Sequence, residues 1–198
     1  MKRSPAIKVC GMNDAAVAQR AEELGADYLG FIFAEGSPRR VSPEDAHMIV
    51  AALSGRARKV GVFTSAPVHE IIAVAEKVPL DVVQLHSRAY GVDAVRALRS
   101  SGFEVWQLES READAMLLDG VSAGMSGGTG KRADWQRAAE LAASGIRIVL
   151  AGGISADNVL DAAATGCTVL DVNSSLETAP GVKSIAKLET FFAAWGMG

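Results

Sequence analysis

Two side chains stand where an apolar run gives way to small or polar residues, and both types can exchange protons with a substrate. Cys10 ends Ile7-Lys8-Val9-Cys10, and Asp119 ends Ala115-Met116-Leu117-Leu118-Asp119. A free cysteine is most often a small buried hydrophobe. Cys10, however, is followed by Gly11 and the start of a helical pattern, where a helix dipole and free N–H groups favour the thiolate. Asp119 as a solvated or helix-capping aspartate would be ordinary. At the rim of an apolar framework, partial desolvation instead raises a carboxyl toward the range useful for a general acid.

Other residues suit binding. Ala151-Gly152-Gly153-Ile154 and Asn173-Ser174-Ser175 each follow a late apolar run. Two small, polar loops of this kind let backbone N–H groups converge on a phosphate. Ser37-Pro38-Arg39-Arg40 sets guanidinium groups in a short turn, and an arginine there offers a planar fork to a carboxylate or phosphate. His86, ending Val83-Gln84-Leu85-His86, reads equally as a base, a donor to substrate or a plain rim histidine. The stretch Gly124 to Lys131, with Gly128 near its centre, lacks the GxxxxGK[ST] order of a nucleotide P-loop and reads as a mobile lid. Asp171, between Leu170 and Val172, reads as a structural carboxylate behind the site, and Cys167 as packing.

These residues need a scaffold that brings distant strand ends together. Apolar runs alternate with helical patterns along the chain, which predicts a parallel sheet. The strands fall at 7–10, 28–33, 59–63, 82–85, 104–108, 115–118, 148–151 and 168–172. Asn13 can cap a helix through Leu24, and Ser42-Pro43-Glu44-Asp45 reads as cap, first-turn proline and acidic first turn. Eight parallel strands argue for a closed (β/α)8 barrel, because closure leaves no sheet edge to protect. The fold class is therefore α/β, one barrel domain over 1–198, with the strand-end residues gathered on its C-terminal face. One unit breaks the rhythm. Only Glu109 to Asp114 join strands five and six, too few for a crossover helix, which needs roughly 10 residues or more. A plain strap is expected there, leaving an uncovered patch that Trp106 or a partner subunit would fill.

The 198-residue chain is long enough to bury one sizeable core, and 49% hydrophobic with 22% charged residues is ordinary for an α/β domain. A formal charge of −3 with interspersed signs offers no basic stripe for nucleic acid and no anchor for a membrane. The N-terminus carries no secretory core, so cytoplasm is the expected location. Two cysteines without a CxxC suggest reduced thiols and no zinc site.

The segments Lys8-Val9-Cys10-Gly11, Leu29 to Phe33, Gly36 to Pro43, Val83 to His86, Leu117-Leu118-Asp119, Gly127 to Lys131, Ala151 to Ile154 and Ala179 to Lys183 together resemble the phosphoribosylanthranilate isomerase family, in that family's order. The resemblance implies the Amadori rearrangement of N-(5'-phosphoribosyl)anthranilate, a step of tryptophan biosynthesis, with no cofactor and no metal. It implies Asp119 as the general acid that opens the ribose ring and Cys10 as the general base that takes the C2 proton. Arg39 would hold the anthranilate carboxylate, His86 and Gly128 would contact substrate, and Gly152, Gly153, Ser174 and Ser175 would hold the phosphate. The expected partner is a small phosphorylated substrate, with a monomer favoured over a homodimer. The chain departs from the family in lacking the helix between strands five and six, and in Asn173 and Ser175, where serine and glycine are usual.

Three alternatives stay open on sequence. The related isomerase of histidine biosynthesis runs the same rearrangement on a two-phosphate substrate, but resembles a barrel with an aspartate where Cys10 stands. An enzyme accepting both substrates is the second. A non-catalytic sugar-phosphate-binding barrel is the third, and an intact acid and base count against it.

Overall fold

Eight apolar runs form parallel strands, each hydrogen-bonded to the next and the eighth to the first, so the sheet closes into a barrel. The structure, a computed structural model, describes residues 5–120 and 134–196. The strands are β1 Ala6–Cys10, β2 Tyr28–Ile32, β3 Arg58–Phe63, β4 Val82–Leu85, β5 Glu104–Leu108, β6 Ala115–Asp119, β7 Ile148–Ala151 and β8 Val169–Val172. Around them, among the described residues, lie α1 Ala15–Glu23, α2 Pro43–Ala51, α3 Val68–Lys77, α4 Val92–Ser100, α5 Trp135–Ala143, α6 Val159–Ala164 and α7 Ile185–Trp195. A single 3-10 turn, Ser174–Leu176, leads into a hairpin, β9 Glu177–Ala179 and β10 Val182–Lys183.

Local chemistry accounts for the boundaries. Ser42 caps α2 by accepting from Asp45 N, with Pro43 in the first turn as the sequence predicts. The cap of α1 is Asp14, which accepts from Val17 N, rather than Asn13. Asn13 instead turns its amide to the carbonyl of Gly181, tying the first βα loop to the β9–β10 hairpin.

Strand residues alternate between two environments, as the pleat requires. Ile7, Val9, Leu29 and Phe31 face the helices in one large core, while Tyr28, Val82, Trp106, Leu117 and Val169 fill the barrel interior. Each such aliphatic or aromatic side chain contributes roughly 1.5–3 kcal/mol by leaving water. The same alternation aims Lys8, Cys10, Gln84, His86, Asp119 and Asp171 inward, since each shares its parity with an interior residue on its own strand.

Between β5 and β6 the chain runs without a helix, as expected, but the patch this was expected to expose is closed. Val105, Met116 and Leu118, the outward apolar residues of the two strands, are all buried in the outer core, and outward Gln107 is buried with its amide donating to Tyr90 O. Ala113 of the strap packs against that core, and both ends of the strap are pinned. Asp114 receives two hydrogen bonds from Arg99 of α4, at 3.1 and 2.7 Å, and one from Val105 N. Glu109 pairs with Arg88 and with Arg137 of α5, the latter at 2.7 Å. Trp106 does not fill the seam. Its parity on β5 is inward, where it meets Tyr28 edge-on at 5.0 Å and donates to Glu104.

Candidate active site

The C-terminal ends of the strands surround a cavity of about 510 Å³, within the range of small-molecule sites. Cys10 enters it from β1, His86 from the end of β4, Asp119 from β6, and Gly152, Gly153 and Ser174 from the two loops after β7 and β8. Residues separated by more than a hundred positions thus share one wall because each ends an inward-facing strand or begins the loop that follows it.

Asp119 is largely buried, and His86 Nε2 stands 3.3 Å from its Oδ2. The histidine of the sequence reading is therefore a neighbour of the candidate acid. Gly152 is where Asp119 meets the loop after β7. Its φ is +93°, and a Cβ there would fall 2.6 Å from Gly120 N and 2.9 Å from Asp119 Oδ1. Glycine is required for both reasons. Asn158 fixes this loop by donating to Gly153 O and accepting from Ser155 N.

Ser174 lines the cavity, but the hydroxyl of Ser175 is turned away from it and donates to Ile154 O at 2.6 Å. That bond joins the loops after β7 and β8. Gly128 and the whole Gly124 to Lys131 stretch lie outside the described residues.

Arg39 lines the cavity and is already paired. Its Nε and Nη2 donate to Glu177 at 2.8 and 2.7 Å, and both side chains are mostly buried. Lys183 joins the same carboxylate at 3.0 Å and also reaches Asn173. Burial works against the Glu177 carboxylate, but the two cations outweigh it and hold it below the usual carboxylate range. The guanidinium of the sequence reading is thus a fixed fork rather than a solvated charge.

Burial pushes the Cys10 thiol up, and the ammonium of Lys8 is the largest influence working against that. The helix-terminus explanation for a Cys10 thiolate is corrected here. Helix α1 begins five residues later, at Ala15, and Asp14 already occupies one of its first N–H groups. Below Cys10, Lys8 Nζ donates to Asp171 Oδ2 at 2.7 Å. The other oxygen, Asp171 Oδ1, and Gln84 Oε1 are buried without a hydrogen-bond partner among the described residues, and both residues line the cavity.

Sequence reasoning missed Lys8, Gln84, Glu177 and Lys183. The first two carried a readable sign, a polar residue at interior parity within an otherwise apolar strand. The other two lie in a short hairpin whose return onto Arg39 depends on tertiary structure.

A carboxyl, a thiol, a fixed guanidinium and small-residue loops thus surround one cavity. Among the described residues no group of three or more His, Cys, Asp or Glu is placed to hold a metal, and no helix is long and apolar enough to cross a membrane. A family model for N-(5'phosphoribosyl)anthranilate (PRA) isomerase matches residues 7–194. The N-(5'-phosphoribosyl)anthranilate isomerase of Geobacter sp. strain M21 is 40% identical over 94% of this chain and 96% of its own length. The crystal structure of phosphoribosyl anthranilate isomerase from Thermus thermophilus is 36% identical, with a TM-score of 0.88 over 97% of this chain and 98% of that one. A structure of a phosphoribosyl anthranilate isomerase in complex with reduced 1-(o-carboxyphenylamino)-1-deoxyribulose 5-phosphate is 28% identical, with a TM-score of 0.81 over 97% and 99%.

Proposed function

The chain belongs to the N-(5'-phosphoribosyl)anthranilate isomerase family, and on that premise we propose that Asp119 and Cys10 divide between them the two proton transfers of the family's reaction. That reaction is the Amadori rearrangement of N-(5'-phosphoribosyl)anthranilate to the carboxyphenylamino-deoxyribulose phosphate, a step of tryptophan biosynthesis. The observation that carries the assignment is that Cys10 and Asp119 face a single cavity with Gly152, Gly153 and Ser174 at its rim.

Asp119, protonated, gives its proton to the furanose ring oxygen as the bond from that oxygen to C1 breaks. The anthranilate nitrogen supplies electrons and becomes an iminium, which acidifies the adjacent C2–H. A thiolate of modest basicity at Cys10 then suffices to take that proton. The enolamine so formed tautomerises to the ketone, and the sum is an isomerisation with no atom gained or lost. His86, beside Asp119, holds the acid's carboxyl. Arg39, held rigid by Glu177, offers its guanidinium to the anthranilate carboxylate, while the loops after β7 and β8 take the phosphate. Anchoring both ends aligns the ribose between acid and base, which is the source of an effective-molarity gain.

Loss of substrate fluorescence on rearrangement gives the test. With freshly made substrate the wild-type protein turns over, and Cys10→Ser and Asp119→Asn each lose about 10²–10⁴-fold in kcat, the usual worth of a general acid or base. An inactive wild type, or two fully active variants, would overturn the assignment. The histidine-pathway substrate is expected to react negligibly by comparison. The same preparation should sediment as a monomer, since the seam at β5–β6 is closed within the chain, and the protein should fractionate with the cytoplasm. A concentration-independent dimer would reject the first expectation and a membrane-bound fraction the second.

A further inference from the structure

Beneath the cavity lies an ion pair that neither proton transfer uses. Lys8 and Asp171 are register partners on β1 and β8, with side chains 0% and 6% exposed. Their interior neighbours Tyr28, the register partner of Lys8, and Val169, two residues before Asp171, are apolar, and a buried pair of this kind is often no more stabilising than apolar residues of the same volume. The pair is also incompletely satisfied, since Asp171 Oδ1 has no hydrogen-bond partner among the described residues. Stability alone is therefore a poor reason for it.

Its geometry points upward, to Cys10. Lys8 precedes Cys10 by two residues on one strand, so both side chains project to the same interior face. The position opposite, Gly30 of β2, is bare. A Cβ there would come 2.9 Å from Cys10 Sγ and 3.1 Å from Lys8 Cε, so the absent side chain is what lets sulfur and ammonium stem share that space.

We propose that Lys8 is a positioning residue of the isomerase, its ammonium anchored by Asp171 and serving as the counter-ion that lets Cys10 exist as a thiolate inside the barrel. The proposal rests on the reading of Cys10 as the base. Other charges face the sulfur, and each has a sign. Lys183 of β10 favours the thiolate, and Asp171 of β8 opposes it. Arg39 also acts on the sulfur from the loop after β2, its guanidinium already committed to Glu177. His86 and Asp119 line the same cavity from other strand ends. The bare position at Gly30 sets the Lys8 stem beside the sulfur while Asp171 is turned to the ammonium, so the pair as a whole favours ionisation even though one of its members does not.

That asymmetry makes the test sharp. The pH dependence of Cys10 alkylation by iodoacetamide, measured in a Cys167→Ala background, reports the thiolate directly and without turnover. Lys8→Met should move the alkylation midpoint to higher pH, and Asp171→Asn should move it to lower pH. The double variant Lys8→Met/Asp171→Asn, which leaves no buried charge unpaired, should still move it upward. Each unit of upward movement lowers the alkylation rate at neutral pH about tenfold. The rising limb of the kcat–pH profile should move in the same direction in each variant. Circular dichroism verifies folding, and if Lys8→Met does not fold, the double variant and Asp171→Asn carry the test. An unmoved midpoint in the folded double variant, or an unmoved or raised one in Asp171→Asn, would overturn the role of Lys8. A fully active Cys10→Ser would instead overturn the base, whatever alkylation shows. An inactive Cys10→Ser with unmoved midpoints rejects Lys8 alone.

Discussion

At the scale of single residues, the site depends on side chains that are absent as much as on those present. Gly152 carries a left-handed backbone against which the amide of Gly120 and the carboxylate of Asp119 both pack. A methyl group there meets backbone that has little room to yield, and alanine at positive φ costs a further 1–2 kcal/mol or so. Gly152→Ala should therefore lower kcat by at least about tenfold through displacement of Asp119, with KM rising as the neighbouring anion loop shifts. Steady-state kinetics checks this, and an unchanged kcat would mean that the acid tolerates displacement. The sequence made Gly152 legible as a small residue in a strand-end loop, but not as the neighbour of Asp119, because that contact joins residues more than thirty positions apart. Arg39 was legible as a fork and its clamp was not. Glu177 and Lys183 follow a 3-10 turn whose path back over the second loop leaves no periodic trace in the sequence.

At the scale of elements, the strands were readable to within a residue or two because each is a short apolar run bounded by polar or small residues. Helix ends depended on which of two adjacent residues, Asn13 or Asp14, supplied the cap. The seam between β5 and β6 was half legible. Six residues are too few for a helix, but what covers the gap follows from charges on the flanking helices. Asp114 binds that gap shut through Arg99 and Val105 N, and although burial opposes the carboxylate, these partners hold it below the usual range. A group with a lowered folded-state pKa stabilises fully above its unfolded value, roughly pH 4, and loses that contribution as pH falls through the folded value. Asp114→Asn should accordingly lower the unfolding free energy at neutral pH by about 1–2 kcal/mol, discounted for partial exposure. The difference from wild type should shrink below about pH 4. Urea melts at neutral pH and near pH 3 measure both, and a penalty that persists undiminished in acid would assign it to packing rather than charge. Because β6 carries Asp119, the same variant should show reduced kcat wherever the strap has loosened.

At the scale of the whole molecule, the barrel separates its tasks by end. The C-terminal ends of the strands hold every candidate acid, base and anion loop, while the opposite end is closed by a cluster centred on Glu104. That carboxylate accepts from Trp106 Nε1 and Arg58 at 2.7 Å each and from Arg147 at 3.0 Å, and Arg58 in turn lies over the ring of Tyr28. Between the two ends stand Tyr28, Trp106 and Leu117, an apolar plug in the barrel interior. If the division is physical, breaking the lower cluster should cost stability and leave chemistry alone. Glu104→Gln keeps the shape but removes the charge that two arginines and an indole share, for a loss of about 1–3 kcal/mol in unfolding free energy. With the plug intact, kcat and KM should stay within about twofold of wild type under conditions where the variant remains folded. A large fall in kcat without a matching change in KM would show that the lower cluster reaches the site through the plug, and Lys8, which lies between the two levels, would be the first residue to suspect of carrying it.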